Sequence, residues 1–511
     1  QKPSYFGQLF GSFKTLEFDA GCNRPIVIPS HVLPYLKNLE ELNVHSSGAV
    51  QVIFDIDEIE VKTKRIVFCL KKLTLKYLPN LKCVWKKNLE GTVIFPKLQE
   101  VVVKGCGNLV TLFSSSLAKN LENLETLHME RCEKLIEIVG KEDGMDHGTT
   151  FMFELPVLSF LYLENMPLLS CFYPRKHHLE CPSLKVLFVI CCPNLKLFTS
   201  DFDDSQKGVI EASISLIQQP LFSVEKVFPK LTGLALKEEN IKLMRYAHFP
   251  QDLLCKLNYL VIYFEDNNEK GTLPFDFFHK VPNLELLFVH QCFGLKEIFP
   301  SQKLQIHDTV FVRLKQLYLD QLNELEWIGL EHPWVQPYCE KLEILKLNKC
   351  PQVEKLATSA MSFINLQKLS VGKCKRMEYL FTFATLKSLV KLETLTINKC
   401  ESIKEIAKNE DEDEDDCDEM VFGRLRSIKL NCLPRLVRFY SGNATLHCSY
   451  LKKVIVAKCP KMETFSEGVI KVSMFLGIKT SKDSSDLTFH GNLNATIRQL
   501  FHNQVGIHHP N

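Results

Sequence analysis

Apolar residues recur along this chain at fixed offsets. The stretch FPKLQEVVVKGCGNLVTLF, framed from Leu98, places them at Leu98, Val101, Val103, Cys106, Leu109 and Leu112. The stretch LENLETLHMERCEKLIEIV, framed from Leu124, repeats the pattern at Leu124, Leu127, Met129, Cys132, Leu135 and Ile138. The frame of offsets 0, 3, 5, 8, 11 and 14 finds sixteen units, the first starting at Phe13 and the last at Leu451. Offsets 3 and 5 are apolar in all 32 positions, where the overall apolar fraction would give about 14 by chance. Apolar and free positions alternate around offsets 3 to 5, which predicts one short strand per unit with a single buried face. Offsets 8, 11 and 14, with an apolar residue three before offset 0 (Phe95, Cys181, Phe228, Phe311, Phe363, Phe422), fill the interior as the chain turns back. Pro at offset −2 (Pro96, Pro156, Pro182, Pro229, Pro282) fixes φ and removes a backbone donor just ahead of the strand, so it sets an entry turn.

The median spacing between units is 27 residues, inside the ~20 to 29 residue period of leucine-rich repeats. The fold expected is an α/β leucine-rich-repeat solenoid of about 16 repeats. It is right-handed and horseshoe-shaped, with a parallel concave sheet and a mostly irregular or short-helical convex side. Polar or aperiodic insertions fall between units at Gly140 to Thr150, Ser200 to Val227 and Asn409 to Glu419. The organisation is therefore a first solenoid half over 1–199, an inserted loop at 200–227, a second half over 228–465 and a C-terminal cap at 466–511. The unit after the long insertion is irregular, with Glu239 where Cys or Leu belongs. In the cap, Val469 to Ile478 reads as a closing strand, and Leu493, Ile497, Leu500 and Phe501 follow helical spacing after Asn492.

Nineteen cysteines raise the question of disulfides or metal, and position answers it. Eight of them (Cys106, Cys132, Cys192, Cys292, Cys350, Cys374, Cys400, Cys459) occupy offset 8, which other units fill with Leu78, Met166, Leu322 or Leu433. They read as small buried thiols that are reduced and mutually unpaired, which favours a reducing compartment. No C-x-x-C pair supports zinc or redox chemistry. Two glycosylation-type triplets, Asn443-Ala444-Thr445 and Asn494-Ala495-Thr496, weigh less than this pattern. The chain contains no G-x-S-x-G elbow and no H-E-x-x-H, and Gly477-Ile478-Lys479-Thr480 lacks the spacing of a phosphate loop. No enzyme activity, cofactor or metal site is expected. His177-His178 reads as a surface pair, and the nine acids among Glu410 to Glu419 as a solvated loop.

Charge enters only locally. Lys and Arg total 62 against 60 Asp and Glu, a formal net charge of +2, so no whole-molecule field selects a nucleic acid. No apolar run is long enough for a membrane helix. The face opposite the buried one, at offsets 2, 4 and 6 with 7 beside them, is more telling. Its middle units show Phe160, Tyr162, Val186, Phe188, Ile190, Tyr259, Val261, Tyr263, Phe264, Leu286, Phe288 and Tyr318. A face this apolar predicts a protein-binding surface, the alternative being that these side chains pack on one another. In the last five units the same offsets carry Lys346, Lys349, Lys368, Lys373, Lys399, Lys429, Lys453 and Lys458, with no acid among them. This basic stripe beside an apolar patch suits an acidic protein partner, the alternative being lysines that simply keep the strand face soluble.

Units of the form L-x-x-L-x-V-x-x-C-x-x-L-x-x-L-F, often opened by F-P-x-L, resemble the C-terminal leucine-rich repeats of plant nucleotide-binding disease-resistance proteins of the coiled-coil class. LVKLETLTINKCESIKEIA and the ending DLTFHGNLNATIRQLF carry the same resemblance. It implies intracellular detection of pathogen effectors, or of a guarded host protein, in the cytoplasm or nucleus. It also implies that the repeats restrain a nucleotide-binding switch. The family's ATP/ADP site would lie in a nucleotide-binding domain absent from this sequence, which begins at Gln1 and reads as a fragment or truncated product. An F-box-type substrate receptor for a ubiquitin ligase is the alternative. Its repeats share the Cys but typically follow it with an Asp-containing turn, missing here.

Overall fold

The computed structural model describes residues 11–56, 66–86, 93–141, 150–199, 220–223, 228–246, 254–264, 273–301, 311–330, 332–356, 361–408, 419–480 and 487–505. Most of the Ser200 to Val227 and Gly140 to Thr150 insertions and nearly all of the acidic segment lie outside these residues. The chain forms two compact units, Gln1–Leu257 and Asn258–Asn511.

Each repeat frame contributes one strand to a parallel sheet. In the first unit these are β1 (Thr15–Phe18), β2 (Glu41–His45), β3 (Lys72–Lys76), β4 (Glu100–Lys104), β5 (Thr126–Glu130), β6 (Phe160–Glu164), β7 (Val186–Ile190) and β8 (Gly233–Lys237). In the second they are β9 (Tyr259–Phe264), β10 (Leu286–Cys292), β11 (Gln316–Asp320), β12 (Ile344–Asn348), β13 (Lys368–Gly372), β14 (Thr394–Asn398), β15 (Ser427–Asn431) and β16 (Lys453–Ala457). In place of one closing strand over Val469 to Ile478 there are two short ones: Ile470–Lys471 pairs with Thr445–His447 on the return side, and β17 (Gly477–Lys479) pairs with β16. Register follows the repeat frame, so equal offsets stand side by side: Leu42 faces Leu73, Leu73 faces Val101, and Leu345 faces Leu369. Thirty of the 32 residues at offsets 3 and 5 are buried; Leu16 and Phe18, on the outermost strand β1, are half-buried. This is a leucine-rich-repeat solenoid.

Two turns shape every coil. At the entry, the offset 0 amide donates to the carbonyl three residues back, as in Leu98 N to Phe95 O at 3.1 Å and Leu231 N to Phe228 O at 3.1 Å. Pro96 and Pro229 occupy the second position of such turns, where a fixed φ is favourable. At the exit, offset 7 adopts a left-handed backbone in thirteen units, twelve of them with a residue other than glycine (Lys349 φ 54°, Lys373 φ 56°, Lys399 φ 55°) and one with Gly105. Its amide donates to the offset 6 carbonyl of the following coil, as in Lys373 N to Asn398 O at 2.9 Å. The reversal drops offset 8 into the interior. There every offset 8 cysteine turns Sγ back onto the offset 6 carbonyl of its own unit, from 3.4 Å at Cys192 and Cys459 to 3.7 Å at Cys106 and Cys132. A thiol is small enough for this slot and supplies a weak donor that Leu lacks. Burial pushes the Cys106 and Cys350 thiols up to about 12, so they stay protonated.

The return side is richer than an irregular or short-helical one. It carries short helices such as Ser115–Ala118 and Phe383–Lys387, and also parallel ladders such as Ile26–Ile28, Val52–Asp55 and Cys83–Lys86. Stacked aromatics fill it: Phe54 lies 4.7 Å from Trp85, and Phe439 lies 4.4 Å from Phe465. His177 belongs to one such ladder, within 6.1 Å of Phe153, Phe172 and Tyr173, so it packs rather than sitting free on the surface. The irregular unit around Glu239 replaces its exit turn with a helix, α1 (Glu238–Tyr246), directly after β8. The cap helix α2 (Leu493–Val505) buries Leu493 and Ile497. Asn494 docks it on the last repeat, its Oδ1 accepting from Phe465 N and Ser466 N and its Nδ2 donating to Ser466 O. Both polar atoms of Asn494 are thus engaged and Thr496 is fully buried, so this triplet serves packing.

Candidate protein-binding face

Side chains at offsets 2, 4 and 6 project from the sheet away from the core. In the first unit the aromatic cluster lies on β5 to β7. Tyr162 stands 4.4 Å from the His128 ring, 6.1 Å from Phe160 and 6.0 Å edge-on to Phe188. Its hydroxyl donates to Glu164 Oε2 at 2.6 Å. Phe160 and Tyr162 are half-buried, whereas Phe188 is 5% exposed and packs over Gly233 of β8. His128 Nε2 is buried without a hydrogen-bond partner, 3.9 Å from Glu130 Oε2. Burial first, then the positive field of Lys104, lowers its pKa to about 4.

In the second unit, Tyr259 and Tyr263 both lie on β9. Tyr259 is half-buried and its phenol pKa is raised by burial; Tyr263 is 2% exposed. Phe288 on β10 is edge-on to Tyr318 on β11 at 6.1 Å, and Lys346 Nζ on β12 lies over the Tyr318 ring at 4.5 Å. The aromatic and basic regions therefore meet at a cation–π contact. Beyond it the lysines separate into two rows. Lys346, Lys368, Lys429 and Lys453 rise from the strands, while Lys349, Lys373, Lys399 and Lys458 occupy the left-handed exit turns. Among the described residues none of the eight joins an ion pair, and Lys346, Lys368, Lys373, Lys399, Lys453 and Lys458 are exposed.

Between those rows runs a polar column at offset 6 that the sequence reading missed. His290 Nδ1 is 3.0 Å from Asp320 Oδ2, Asn348 Nδ2 donates to Asp320 Oδ1 at 2.5 Å, and Asn431 Nδ2 donates to Asn398 Oδ1 at 2.7 Å. Burial alone would raise the Asp320 pKa, but hydrogen bonds from His290, Asn348 and Gln321 outweigh it and hold the carboxyl below its ordinary value. A signal for this column existed in the sequence, because the aligned units of the second half put Asp or Asn at offset 6 four times, at Asp320, Asn348, Asn398 and Asn431.

Elsewhere the second unit has an open polar groove of about 590 Å³ lined by Trp327, Glu354, Arg376, Glu378 and Tyr379, crossed by the Arg376–Glu354 pair at 3.8 Å. Among the described residues no group of three or more His, Cys, Asp or Glu is placed to hold a metal ion, and no helix is long and apolar enough to cross a membrane.

Fold and face together define a leucine-rich-repeat scaffold in each unit. Residues 2–133, 230–362 and 353–472 match the family described as plant disease resistance protein RPS2-like, leucine-rich repeats, and the chain belongs to that family. Two solved structures are similar to it: a TLR13–ssRNA13 complex (14% identity, 89% of this chain and 72% of that one, TM-score 0.28) and the plant peptide hormone receptor RGFR1 with RGF2 (11% identity, 93% and 80%, TM-score 0.21). No curated protein sequence matches.

Proposed function

We propose that the sheet face is the protein-binding surface of an intracellular plant immune receptor. On this reading it recognises a pathogen effector or a guarded host protein and restrains the nucleotide-binding portion of the same or a related receptor. The observation that supports this most is the junction on β10 to β14, where half-buried Phe288 and Tyr318 adjoin lysines that have no acidic partner among the described residues. Such an arrangement leaves apolar area for desolvated contact and a positive field for steering. Nucleic acid is not favoured, because the face is aromatic and amide-rich between its lysines and the chain as a whole is near neutral. The buried, protonated thiols of Cys106 and Cys350 fit a reducing cytoplasm or nucleus.

The test is surface binding kinetics with the nucleotide-binding portion of an RPS2-like receptor, or with an effector such a receptor recognises, at two salt concentrations. Phe288→Ala with Tyr318→Ala should speed dissociation about tenfold or more, since each anchor contributes on the order of 1 to 2 kcal/mol. Reversal of Lys373, Lys399 and Lys429 to Glu should slow association and flatten its salt dependence. Unchanged kinetics in both variants, with folding intact, would move the binding surface off this face.

A further inference from the structure

The polar column of the second unit has a direction and a gap. Asp320 is ionised and can only accept, so Asn348 turns Nδ2 to it and leaves Oδ1 facing the next coil. On the far side of the next coil, Asn398 Oδ1 accepts from Asn431, so the column makes no use of the Asn398 Nδ2 donor. The residue in register between Asn348 and Asn398 is Gly372, which offers no side chain. Among the described residues neither Asn348 Oδ1 nor Asn398 Nδ2 has a hydrogen-bond partner. Adjacent strands stand about 4.8 Å apart, so Asn348 and Asn398 lie on strands roughly 9.6 Å apart, which leaves one 4.8 Å step of an amide ladder unfilled between their own amides.

The missing group must donate toward Asn348 and accept from Asn398. A carboxylate has no donor for Asn348 Oδ1, an ammonium has no acceptor for Asn398 Nδ2, and a lone hydroxyl is too short to reach both. A carboxamide meets both demands. At the lip of the gap, the backbone bonds Lys349 N to Gly372 O (2.8 Å) and Lys373 N to Asn398 O (2.9 Å) fix two left-handed lysines, and Lys399 follows Asn398 on the next coil.

We propose that the Gly372 gap is a recognition notch for the side-chain carboxamide of an Asn or Gln on a protein partner, with acidic residues beside it in the partner's sequence meeting the surrounding lysines. The proposal rests on the reading of the sheet face as the binding surface and names the chemistry that face selects. Gly372 has an ordinary strand backbone, and a Cβ there would meet Asn348 Oδ1 at 3.1 Å, tight for a carbon but the distance of a hydrogen-bonded nitrogen.

The experiment measures fluorescence anisotropy of labelled peptides Glu-Asp-X-Asp-Glu, with X as Asn, Gln, Asp or Ala, against the full chain at two salt concentrations. The Asn or Gln peptide should bind at least tenfold more tightly than the Ala and Asp peptides, the effect of two added hydrogen bonds. Gly372→Asn supplies an amide from within once Asn348 shifts by a few tenths of an ångström, and should abolish that preference. Asn398→Ala, which removes the donor without filling the gap, should reduce the preference to a few-fold and so reports even if Gly372→Asn folds poorly. Salt-dependent binding with no preference among the peptides overturns the notch alone. Absence of binding by every peptide at both salt concentrations overturns the notch and the sheet-face reading together.

Discussion

His128 is the residue whose environment departs furthest from what its neighbours in sequence suggest. It sits on the solvent side of β5, yet its ring is enclosed by Tyr162 and Phe160 and flanked by Lys104, Lys76 and Glu130. With a folded-state pKa near 4 against an ordinary 6.5, it stays neutral in the fold while the unfolded chain takes up a proton. Its contribution to stability is complete above about pH 6.5, is lost progressively as pH falls toward 4, and is constant below. The loss is on the order of 2 kcal/mol once partial exposure is allowed for. His128→Phe keeps the aromatic contacts and removes the titration, so its urea midpoint should fall less than the parent's between pH 7 and pH 4. Equal slopes for the two proteins would show that His128 titrates normally.

At the scale of the element, the coil is built from one buried strand and one strained turn. Leu369 is 1% exposed at offset 3 of β13, so Leu369→Asp buries an unpaired carboxylate and should cost several kcal/mol, read as a large fall in denaturation midpoint. The exit turn makes a subtler demand. No β-branched residue occupies any of the thirteen left-handed offset 7 positions, which hold Ser, Tyr, Gly, Arg, Asn, Cys, Gln and Lys. A branched Cβ is the worst fit to that backbone. Lys399→Val should therefore be about 1 kcal/mol or more less stable than Lys399→Gly in denaturant melts, although both remove the same charge. A reversed order would mean that the lysine stem, not the backbone, governs this position. The strand was legible in the hydrophobic period because burial acts on side-chain type directly. The left-handed turn was not, because a polar residue satisfies it in many ways and leaves no periodic apolar signal.

For the whole molecule, each coil is held by its neighbours, so protection should follow position in the stack. β1 pairs with β2, and its Leu16 and Phe18 are half-buried, while β17 holds three residues against β16. Hydrogen exchange should be slowest at interior strands such as β4, β5, β13 and β14 and fastest at β1 and β17. Uniform protection from β1 to β17 would contradict this stacking picture. The irregular coil at β8 is a further place to look, since it shares only two register pairs with β7 before α1 begins.

The amino-acid sequence by itself determined the repeat period, the strand in every unit, the inward set of apolar residues, the buried slot for the cysteines and the family resemblance. All of these are one-dimensional regularities that burial repeats every 27 residues or so. Only the tertiary structure decided what stands beside what on the open face. Phe188 and Tyr263 carry the same aromatic signal as Phe288 and Tyr318, yet the first two are enclosed and the second two are half-buried, because exposure depends on the coils on either side. Eight lysines in one stripe become two rows, because offset 7 leaves the strand at a left-handed turn. The amide column and its gap at Gly372 exist only across coils, where residues about 30 positions apart come within hydrogen-bond distance. Lateral hydrogen bonding between repeats has no representation within a single unit of sequence, and that is why register had to reveal it.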